Sequence, residues 1–596
     1  MPVYKAPLRD MRFVIHELLE VEKHSNLPIF SEAPADIIDA VLEEGAKVAE
    51  EILFPLNQVG HEEGCTFNDG VVTTPTGFKE GFAEYRQGGW VGLAGNANYG
   101  GQGLPAFLGT SMGEMTCSTN LAFEMYSGLT SGACAAIDAH GTEEQKSYYL
   151  PRMYSGEWTG TMNLTEPHCG TDLGQMRTKA EPQDDGSYLI SGTKIFISAG
   201  EHDMADNIIH LVLAKIPGGP KGIKGVSLFI VPKVHSDADG NLGERNGVAA
   251  GSIEHKMGIN GNATCVMNYD NAQGWLLGRE HKGMEAMFVM MNAARLGVGM
   301  QGLSLSEVSY QNAVVYANDR LQGRSLSGVK EPEKAADPII VHPDVRRMLM
   351  TMRSFNEGAR AFNTWVAMNL DLARAEQDED ARQAAEDLVT LITPVVKAHI
   401  TDVGFECANI GQQCFGGHGY IREHGMEQYV RDARIAQLYE GTNGIQALDL
   451  VGRKMPAHMG RLLRAFFHPV DAFIQENADN KELAEFVMPL AKGFARLQQG
   501  VAWLGEQGMK DVEQAAAGAT DFQRMFGVVA LGFMWARMAK VAQTKLAAGT
   551  DETEFYENKL KTARFYMARM MPDTSSLLAK VTSGKDTLMA MDAAAF

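Results

Sequence analysis

The sequence predicts an α+β protein that is mostly helical, because a short β-rich stretch interrupts two long helical regions. Apolar residues recur at helical spacing over residues 1–157 and again from residue 281 to the end. Between them, short segments rich in β-branched residues are bounded by Gly, Pro, Asp and Asn. At 596 residues the chain is too long for one hydrophobic core. We therefore predict four domains, residues 1–157, 158–280, 281–460 and 461–596.

The first domain is predicted to be helical. Residues 37–54 repeat apolar side chains at helical spacing, and Pro55 is expected to end this helix. A long helix of small residues follows over residues 107–140. Gly141 and Thr142 then come in the order that closes one helix and caps the next.

The middle domain is predicted to be a compact antiparallel β domain that ends near Glu280. Its segments are short, β-branched and separated by turn residues, which favours strands over helices. The predicted strands cover residues 161–165, 188–198, 208–216, 226–234 and 263–269.

The rest of the chain is predicted to return to helices, which form a bundle and then a further helical domain. No cluster of catalytic residue types occurs beyond Lys454, so we interpret the last domain as a packing or dimer-stabilising element. The predicted helices cover residues 284–316, 343–375, 381–414, 466–475, 482–499, 520–547 and 554–571.

Composition and charge restrict the class of protein. A net charge of -21 argues against nonspecific binding to nucleic acid or to an anionic membrane surface. The seven cysteines are scattered without a Cys-x-x-Cys pair, which favours a reducing compartment and predicts no structural metal site. The N-terminus lacks a signal-peptide pattern, and no apolar run is long enough to span a bilayer. We expect a soluble cytoplasmic protein without an integral membrane segment.

The stretch 412–446 carries the strongest chemical signal. It contains a glycine-rich turn with Gly416 and Gly417, and later one carboxylate, Glu440, between Tyr439 and Gly441. A carboxylate beside glycine lies where the backbone is bare and a small ligand can approach. Thr442 and the two residues after it are expected to begin a helix. Taken alone, Glu-Gly-Thr is more often a surface glutamate before a helix.

Two segments of the β domain also offer binding groups. The first, residues 162–180, presents the hydroxyls of Thr165 and Thr171 and bare backbone N–H groups near Gly170. The second, residues 194–200, alternates so that Phe196 and Ser198 share one face. An aromatic ring beside a hydroxyl suits a flat cofactor, whereas ordinary strand alternation would place Phe196 in the core.

These motifs together resemble the acyl-CoA dehydrogenase family. FGGHGY and RDARIAQLYEGTNGIQ resemble its C-terminal signature, while TEPHCGTD and KIFISAG resemble its Thr-Glu-Pro-x-x-Gly-Ser-Asp and Trp-Ile-Thr-Asn-Gly pair. The resemblance covers residues from about 38 to 455. It implies an N-terminal helical domain, a middle β-barrel and a C-terminal four-helix bundle. The added tail resembles larger bacterial members, which include long-chain acyl-CoA and 3-methylmercaptopropionyl-CoA dehydrogenases.

The resemblance implies FAD as cofactor and Glu440 as the catalytic base. Ala199 replaces the family's Asn and loses an amide, and the segment after Arg320 lacks the family's Phe, so only this Arg is carried over. Implied FAD contacts are Met162, Leu164, Thr165, Gly170, Thr171, Phe196, Ser198, Arg320, Gly416, Gly417 and Thr442. Implied acyl-CoA contacts are Thr171, Arg295, Tyr439 and Gly441.

The implied reaction converts an acyl-CoA thioester into the trans-2-enoyl-CoA, as in fatty acid β-oxidation. The implied partner is an electron-transfer flavoprotein, and the implied assembly is a homodimer, because the family's FAD site spans a subunit interface. A 3-methylmercaptopropionyl-CoA dehydrogenase and an acyl-CoA oxidase remain open as alternatives. Glu440 argues against a catalytically silent flavin protein, and the β domain argues against a purely helical scaffold.

Overall fold

The computed structural model describes residues 2–596 and confirms the α+β, mostly helical fold class. The chain forms two compact units. One is Val41–Gly297, and the other combines Met1–Ala40 with Val298–Phe596. Residues 2–40 therefore belong to the same compact unit as the C-terminal part of the chain.

Helices account for most of the described residues, and the predicted helices are present, although Ala484–Lys510 and Val512–Ala548 are longer than the predicted 482–499 and 520–547. The α-helices are α1 (Leu8–Arg12), α2 (Pro28–Ser31), α3 (Ala35–Lys47), α4 (Phe54–Glu63), α5 (Phe78–Gln87), α6 (Ala106–His140), α7 (Glu143–Tyr154), α8 (Gly283–Asp319), α9 (Pro343–Ala375), α10 (Glu379–Cys414), α11 (Met426–Arg434), α12 (Asn443–Asp449), α13 (Arg461–Glu476), α14 (Ala484–Lys510), α15 (Val512–Ala548), α16 (Thr553–Arg569), α17 (Asp573–Val581) and α18 (Asp586–Met589).

The strands lie in the unit Val41–Gly297. They are β1 (Thr66–Asn68), β2 (Val71–Thr73), β3 (Trp158–Asn163), β4 (Lys179–Pro182), β5 (Tyr188–Ser198), β6 (Asn207–Lys215), β7 (Val226–Pro232), β8 (Val234–Ser236), β9 (Leu242–Arg245), β10 (Val248–Ile253) and β11 (Thr264–Leu277).

The middle strands close into a barrel in the order β11, β5, β4, β6, β7 and back to β11. Strand β10 extends the sheet beyond β11, and β3 extends it beyond β6. Most pairings are antiparallel as predicted, but β3 and β4 each run parallel to β6. Parallel neighbours need a crossover of a dozen or more residues. The connection from β3 to β6 is long enough for this. The parallel pairing itself could not be predicted from the residue pattern of each strand.

Strand β6 explains why its sequence is a continuous apolar run. Its alternate residues belong to two different cores. Ile209, Leu211 and Leu213 pack with helices α6 and α7, whereas Val212 and Ala214 pack with the inner residues of β5, β7, β10 and β11. A strand buried on both faces loses the polar-apolar alternation of a half-exposed strand.

The first predicted helix does not end at Pro55, so that expectation is wrong. The chain passes from α3 through a π-helical turn, Val48–Leu53, directly into α4, where Pro55 lies in the first turn. In the π-helical turn the N–H of Phe54 bonds to the carbonyl of Ala49. Proline has no N–H to donate, and the wider π-helical turn immediately before it lets the helix continue past this missing donor. The predicted capping at Thr142 is confirmed, since its hydroxyl and Gln145 form a capping box.

The C-terminal helices pack against the bundle helices inside one unit. Trp535 of α15 is fully buried, and its indole N–H donates to the carbonyl of Ser354 in α9 at 2.8 Å. Gly358 allows this approach, because a Cβ there would lie 2.8 Å from the indole nitrogen of Trp535. The tail is therefore an integral part of the same hydrophobic core as the bundle.

Two helices, α10 and α15, are long and apolar enough to cross a membrane by length and composition. Their most apolar windows are 78% and 83% buried within the structure. Core helices meet the same test, so the two helices are weak evidence for a membrane span.

Candidate active site

The carboxylate of Glu440 lies on a short turn between α11 and α12. Glu440 has a backbone φ of +55°, and the next residue, Gly441, has a φ of +82°. The left-handed conformation costs a residue with a side chain about 1–2 kcal/mol. Strain of this kind persists only where the surrounding structure imposes it, and it occurs preferentially at functional sites.

Side chains on both sides of the turn hold its backbone. The hydroxyl of Tyr439 donates to the side chain of Gln301 in α8. The buried Gln446 of α12 donates its amide N–H to the carbonyls of Glu440 at 3.2 Å and Gly441 at 3.1 Å. Glu440 is half-buried, and these hydrogen bonds hold the chain at the residue before it and at its own carbonyl and the next one.

Thr442 begins α12, as the sequence predicts. Its hydroxyl does not cap the helix but donates to the carbonyl of Gln437 at 3.3 Å. This bond joins the two ends of the turn rather than satisfying a helix N–H. Tyr439, Gly441 and Thr442 are all half-buried beside Glu440, so the structure brings these four predicted site residues together.

The glycine-rich turn forms a bare, exposed surface. A Cβ at Gly416 or Gly417 would meet no atom within 4 Å, and Gly416 has a φ of +58° that favours glycine. Beneath it the rings of Tyr316 and Phe415 stack with centroids 4.1 Å apart. The hydroxyl of Tyr316 and Nδ1 of His418 are 2.8 Å apart. The backbone of the glycine-rich turn is therefore exposed, and the adjacent aromatic side chains pack against one another.

Arg320 immediately follows α8 and opens a long loop that leads to α9. Its N–H donates to the carbonyl of Tyr316 at 2.8 Å, and its carbonyl accepts from the N–H of Ile339 at 2.9 Å. These two bonds fix the backbone of Arg320 to the end of α8 and to the far end of the loop.

Asp337 organises this loop, a role that sequence reasoning missed. Its buried carboxylate accepts from the backbone N–H groups of Ser325, Lys330 and Glu331 and from the guanidinium of Arg324, at 2.8 to 3.2 Å. These donors, led by the N–H of Ser325, lower the pKa of Asp337 to about 2. Nothing in the local sequence separates this aspartate from ordinary loop residues.

The two β-domain motifs lie side by side, although about thirty residues separate them in the chain. The N–H of Ile195 donates to the carbonyl of Thr165 at 2.9 Å. A β-bulge in the pairing of β5 with β11 places Phe196 at a φ of +58°. Its ring is 60% exposed, so the alternative that Phe196 lies in the core is wrong. Backbone strain of this kind at an exposed aromatic residue occurs preferentially at ligand-binding sites.

A buried ion pair holds this surface in place, and sequence reasoning did not foresee it. The ammonium of Lys194 donates to Glu166 at 3.0 Å and to the carbonyl of Leu164 at 2.9 Å. Glu166 also accepts from the N–H groups of Arg177 and Thr178 and from the hydroxyl of Thr178. Burial alone would raise the pKa of Glu166, but Lys194 and the other donors outweigh it and lower the pKa to about 2.

This ion pair predicts an acid-sensitive contribution to stability. Because the folded-state pKa of Glu166 lies near 2, below its ordinary value of 4.5, the contribution is present above pH 4.5 and is lost as pH falls toward 2. Between pH 5 and pH 3, the wild type should lose about 1–2 kcal/mol more unfolding free energy than Glu166→Gln. Urea titrations at both pH values measure the difference. Parallel loss in the two proteins would contradict the role of this carboxylate.

The remaining predicted residues of the β domain are arranged around the same loop. Leu164 is buried, and Met162 and Ser198 are half-buried. Gly170 and Thr171 are exposed, with Gly170 packed near the methyl group of Thr165. The predicted FAD contacts of these residues stay predictions.

Arg295 lies in α8 and is almost fully buried. Its guanidinium donates to the side chain of Asn292 at 3.2 Å and lies 5.8 Å from the ring centroid of Phe288. An amide oxygen and an aromatic face both stabilise a buried cation. The predicted contact of Arg295 with acyl-CoA stays a prediction.

One group of potential metal ligands occurs in residues 2–596, formed by Glu166, His168 and Cys169. Their ligand atoms lie within 4.8 Å of one another. However, Glu166 is already bound by Lys194, and a second cation at its carboxylate would be repelled by that ammonium. The structure therefore gives no support for a metal at this point.

Four protein-family models match successive parts of the chain. They are acyl-CoA dehydrogenase, N-terminal domain over residues 69–157, middle domain over 161–272, C-terminal domain over 281–455, and acetyl-CoA dehydrogenase C-terminal like over 466–592. A 3-methylmercaptopropionyl-CoA dehydrogenase of Ruegeria pomeroyi is 40% identical over 98% of this chain and 99% of its own length. The chain belongs to the acyl-CoA dehydrogenase family. It is therefore a member of a family of oxidoreductases.

Two further proteins of this family show how widely the likeness extends. A broad-specificity linear acyl-CoA dehydrogenase of Mycobacterium tuberculosis is 34% identical over the full length of both chains. The solved structure of an acyl-CoA dehydrogenase from Bacillus anthracis, complexed with FAD, matches with a TM-score of 0.75 at 20% identity. It covers 99% of this chain and 93% of that chain, so the C-terminal helical domain is part of the shared fold.

Proposed function

We propose that this acyl-CoA dehydrogenase family member converts an acyl-CoA thioester into the trans-2-enoyl-CoA with FAD as its cofactor. The observation that supports this most strongly is Glu440, the one carboxylate of its turn, held at a strained and fixed backbone position. The full-length relationship to relatives named as acyl-CoA dehydrogenases supports the same proposal.

The residues present fit a flavin. Phe196 exposes a flat aromatic side chain, and the same two paired motifs carry the hydroxyls of Thr165 and Ser198. A flat ring system with a polar edge needs such a combination. The glycine turn and Arg320 belong to the other compact unit, and their contacts with FAD are proposed from the family resemblance alone. When bound, FAD supplies the acceptor for the hydride that leaves the β-carbon.

Glu440 performs the proton transfer in this proposal. The α-hydrogen of a thioester is weakly acidic, so its removal needs a base held within hydrogen-bond reach. The Glu440 carboxylate takes the α-proton, and the electron pair left on the α-carbon forms the new double bond as the β-hydrogen departs. The backbone N–H of Glu440 donates to the thioester oxygen and stabilises its developing charge. The fixed turn keeps this base and this donor in one geometry.

Phe196→Ala should weaken FAD binding about tenfold and leave the fold intact. The reason is that the Phe196 ring is largely exposed, so its removal costs little burial within the protein itself. FAD affinity can be measured by reconstituting the apoprotein and following flavin fluorescence. Ile223→Ala, which removes another exposed apolar side chain of the same unit, is the control. Equal FAD affinity in the wild type and the Phe196 variant would contradict the contact.

A sulfur-containing acyl chain is the second substrate candidate. The 40% identity to the Ruegeria pomeroyi enzyme over nearly the whole of both chains favours 3-methylmercaptopropionyl-CoA. The relationship to the linear acyl-CoA dehydrogenase at 34% identity favours straight chains as in fatty acid β-oxidation. Both substrates present the same thioester and α-hydrogen to Glu440 and differ only beyond the β-carbon.

We further propose a cytoplasmic homodimer that passes its electrons to an electron-transfer flavoprotein, as the family resemblance implies. An acyl-CoA oxidase would deliver them to oxygen instead. Oxygen consumption during turnover without an added acceptor separates these two outcomes, and light scattering of the purified protein tests the dimer.

The decisive experiment is anaerobic mixing of the purified protein with acyl-CoA thioesters from short chains through palmitoyl, and with 3-methylmercaptopropionyl-CoA. Loss of the oxidised flavin absorbance with one of them would support the dehydrogenase reaction and identify its substrate class. A yellow protein that no thioester bleaches would contradict the proposed function and leave the fold assignment unaffected.

A further inference from the structure

The turn that carries Glu440 is closed at its base by one carboxylate from another helix. Asp402 of α10 accepts a hydrogen bond from the side-chain amide of Gln437 and another from that of Asn443. Both bonds reach the same oxygen, Oδ1, and both are 2.7 Å long. Gln437 and Asn443 stand three residues before and three residues after Glu440. Asp402 therefore ties the two ends of this seven-residue turn to a single point.

Asn443 is oriented so that it can make this bond. Its Oδ1 accepts from the buried ammonium of Lys397 at 2.8 Å. Its amide nitrogen, besides reaching Asp402, lies 3.0 Å from the hydroxyl of Thr401. Lys397 can only donate, so it fixes which end of the amide faces it and leaves the nitrogen directed to Asp402.

A strained backbone needs such a support. Because Glu440 has a φ of +55°, the turn would relax toward an ordinary conformation if its ends could separate. Gln446 fixes the carbonyls of Glu440 and Gly441, but it belongs to α12 and moves with it. Asp402 belongs to α10, a separate long helix that packs mainly against α9, and so it anchors the turn to an element outside α12.

We propose that Asp402 is a positioning residue for the catalytic base, and this inference rests on the proposed function of Glu440. Asp402 acts on Gln437 and Asn443 and has no part in the proton transfer itself. Displacing a reacting group by about 1 Å can cost about 10²-fold in rate. Loss of Asp402 should therefore slow the chemical step more than it weakens substrate binding.

The test compares Asp402→Ala, Asp402→Asn and Glu406→Ala as holoenzymes. Asp402→Ala should lower kcat about 10- to 100-fold, with KM changed less than about threefold and FAD content unchanged. Asp402→Asn should stay within about threefold of the wild type, because the amide oxygen still accepts both hydrogen bonds. Glu406→Ala removes a carboxylate one helical turn away that pairs with the exposed Arg524, and it should have wild-type kinetics.

Hydrogen–deuterium exchange of the peptide that covers residues 437–446 gives a second readout independent of activity. Exchange should be faster in Asp402→Ala and unchanged in Asp402→Asn. Wild-type kcat in Asp402→Ala, equal losses in both Asp402 variants, or unchanged exchange would overturn the proposal. If no thioester bleaches the wild-type protein, the proposed function fails. The exchange data then decide separately whether Asp402 fixes the turn.

Discussion

Glu440→Gln is expected to lower turnover by at least ~10³-fold while the protein keeps its FAD and its fold. An amide cannot accept the α-proton, so the variant lacks the base although it retains the shape of the side chain. The carbonyl of residue 440 still bonds to Gln446, so the backbone of the turn should not change. The factor corresponds to about 4 kcal/mol of activation free energy. Stopped-flow bleaching of the flavin by the best substrate measures it.

Glu423→Gln is the matched control for this experiment. Glu423 is an exposed carboxylate of the same stretch 412–446, and its neutralisation changes the net charge equally. The substrate should bleach the flavin of the Glu423→Gln variant at the wild-type rate. Near-wild-type turnover in the Glu440 variant would remove this residue as the base.

Asp10→Ala is expected to lower the free energy of unfolding by about 3–5 kcal/mol. The carboxylate of Asp10 in α1 bonds to the guanidinium of Arg360 in α9 and to the ammonium of Lys559 in α16. All three side chains are buried or nearly so. Burial would raise the pKa of Asp10, but Lys559 and Arg360 outweigh it and hold the pKa below its usual range.

The cost is large because two buried cations would lose a shared partner. Arg360 also pairs with Glu307 at 3.0 Å and Lys559 with Glu357 at 2.7 Å, but each would lose the carboxylate that they share. An uncompensated buried charge costs more than the pair contributes. Since the pKa of Asp10 is lowered on folding, this stabilisation is present above its ordinary value near 4 and is lost as pH falls below it.

Chemical denaturation followed by circular dichroism measures this loss. Glu485→Ala is the control, because Glu485 forms an exposed ion pair with Arg564 in the same unit. Exposed pairs contribute roughly 0–1 kcal/mol, so this variant should unfold near the wild-type midpoint. If the Asp10 variant unfolds there too, the buried cluster does not link the N-terminal segment to the rest of its unit.

Much of the fold could be predicted because its elements carry strong local signals. Helix α9 and strand β5 have the predicted bounds, whereas α14 and α15 are longer than predicted and the short strands β1, β2, β4, β8, β9 and β10 were not predicted. Two predictions failed because a backbone irregularity overrode the local preference of the residues. The π-helical turn before Pro55 let a helix continue, and a bulge in β5 turned Phe196 outward.

The sequence by itself determined which residues are candidates for the chemistry. Glu440 beside Gly441, the glycine turn and the two β-domain motifs are recognisable because their residue types are needed at fixed spacings along the chain. The relationship to the acyl-CoA dehydrogenase family follows from the same residues.

Only the tertiary structure decided what holds those residues in place. Asp402 is 38 residues from Glu440, and Lys194 is 28 residues from Glu166, so no local pattern joins them. A buried carboxylate and a surface carboxylate look alike in a sequence, because desolvation and hydrogen bonding depend on neighbours that folding brings together. Local sequence therefore identifies the candidate residues, whereas long-range packing determines their positions and their charges.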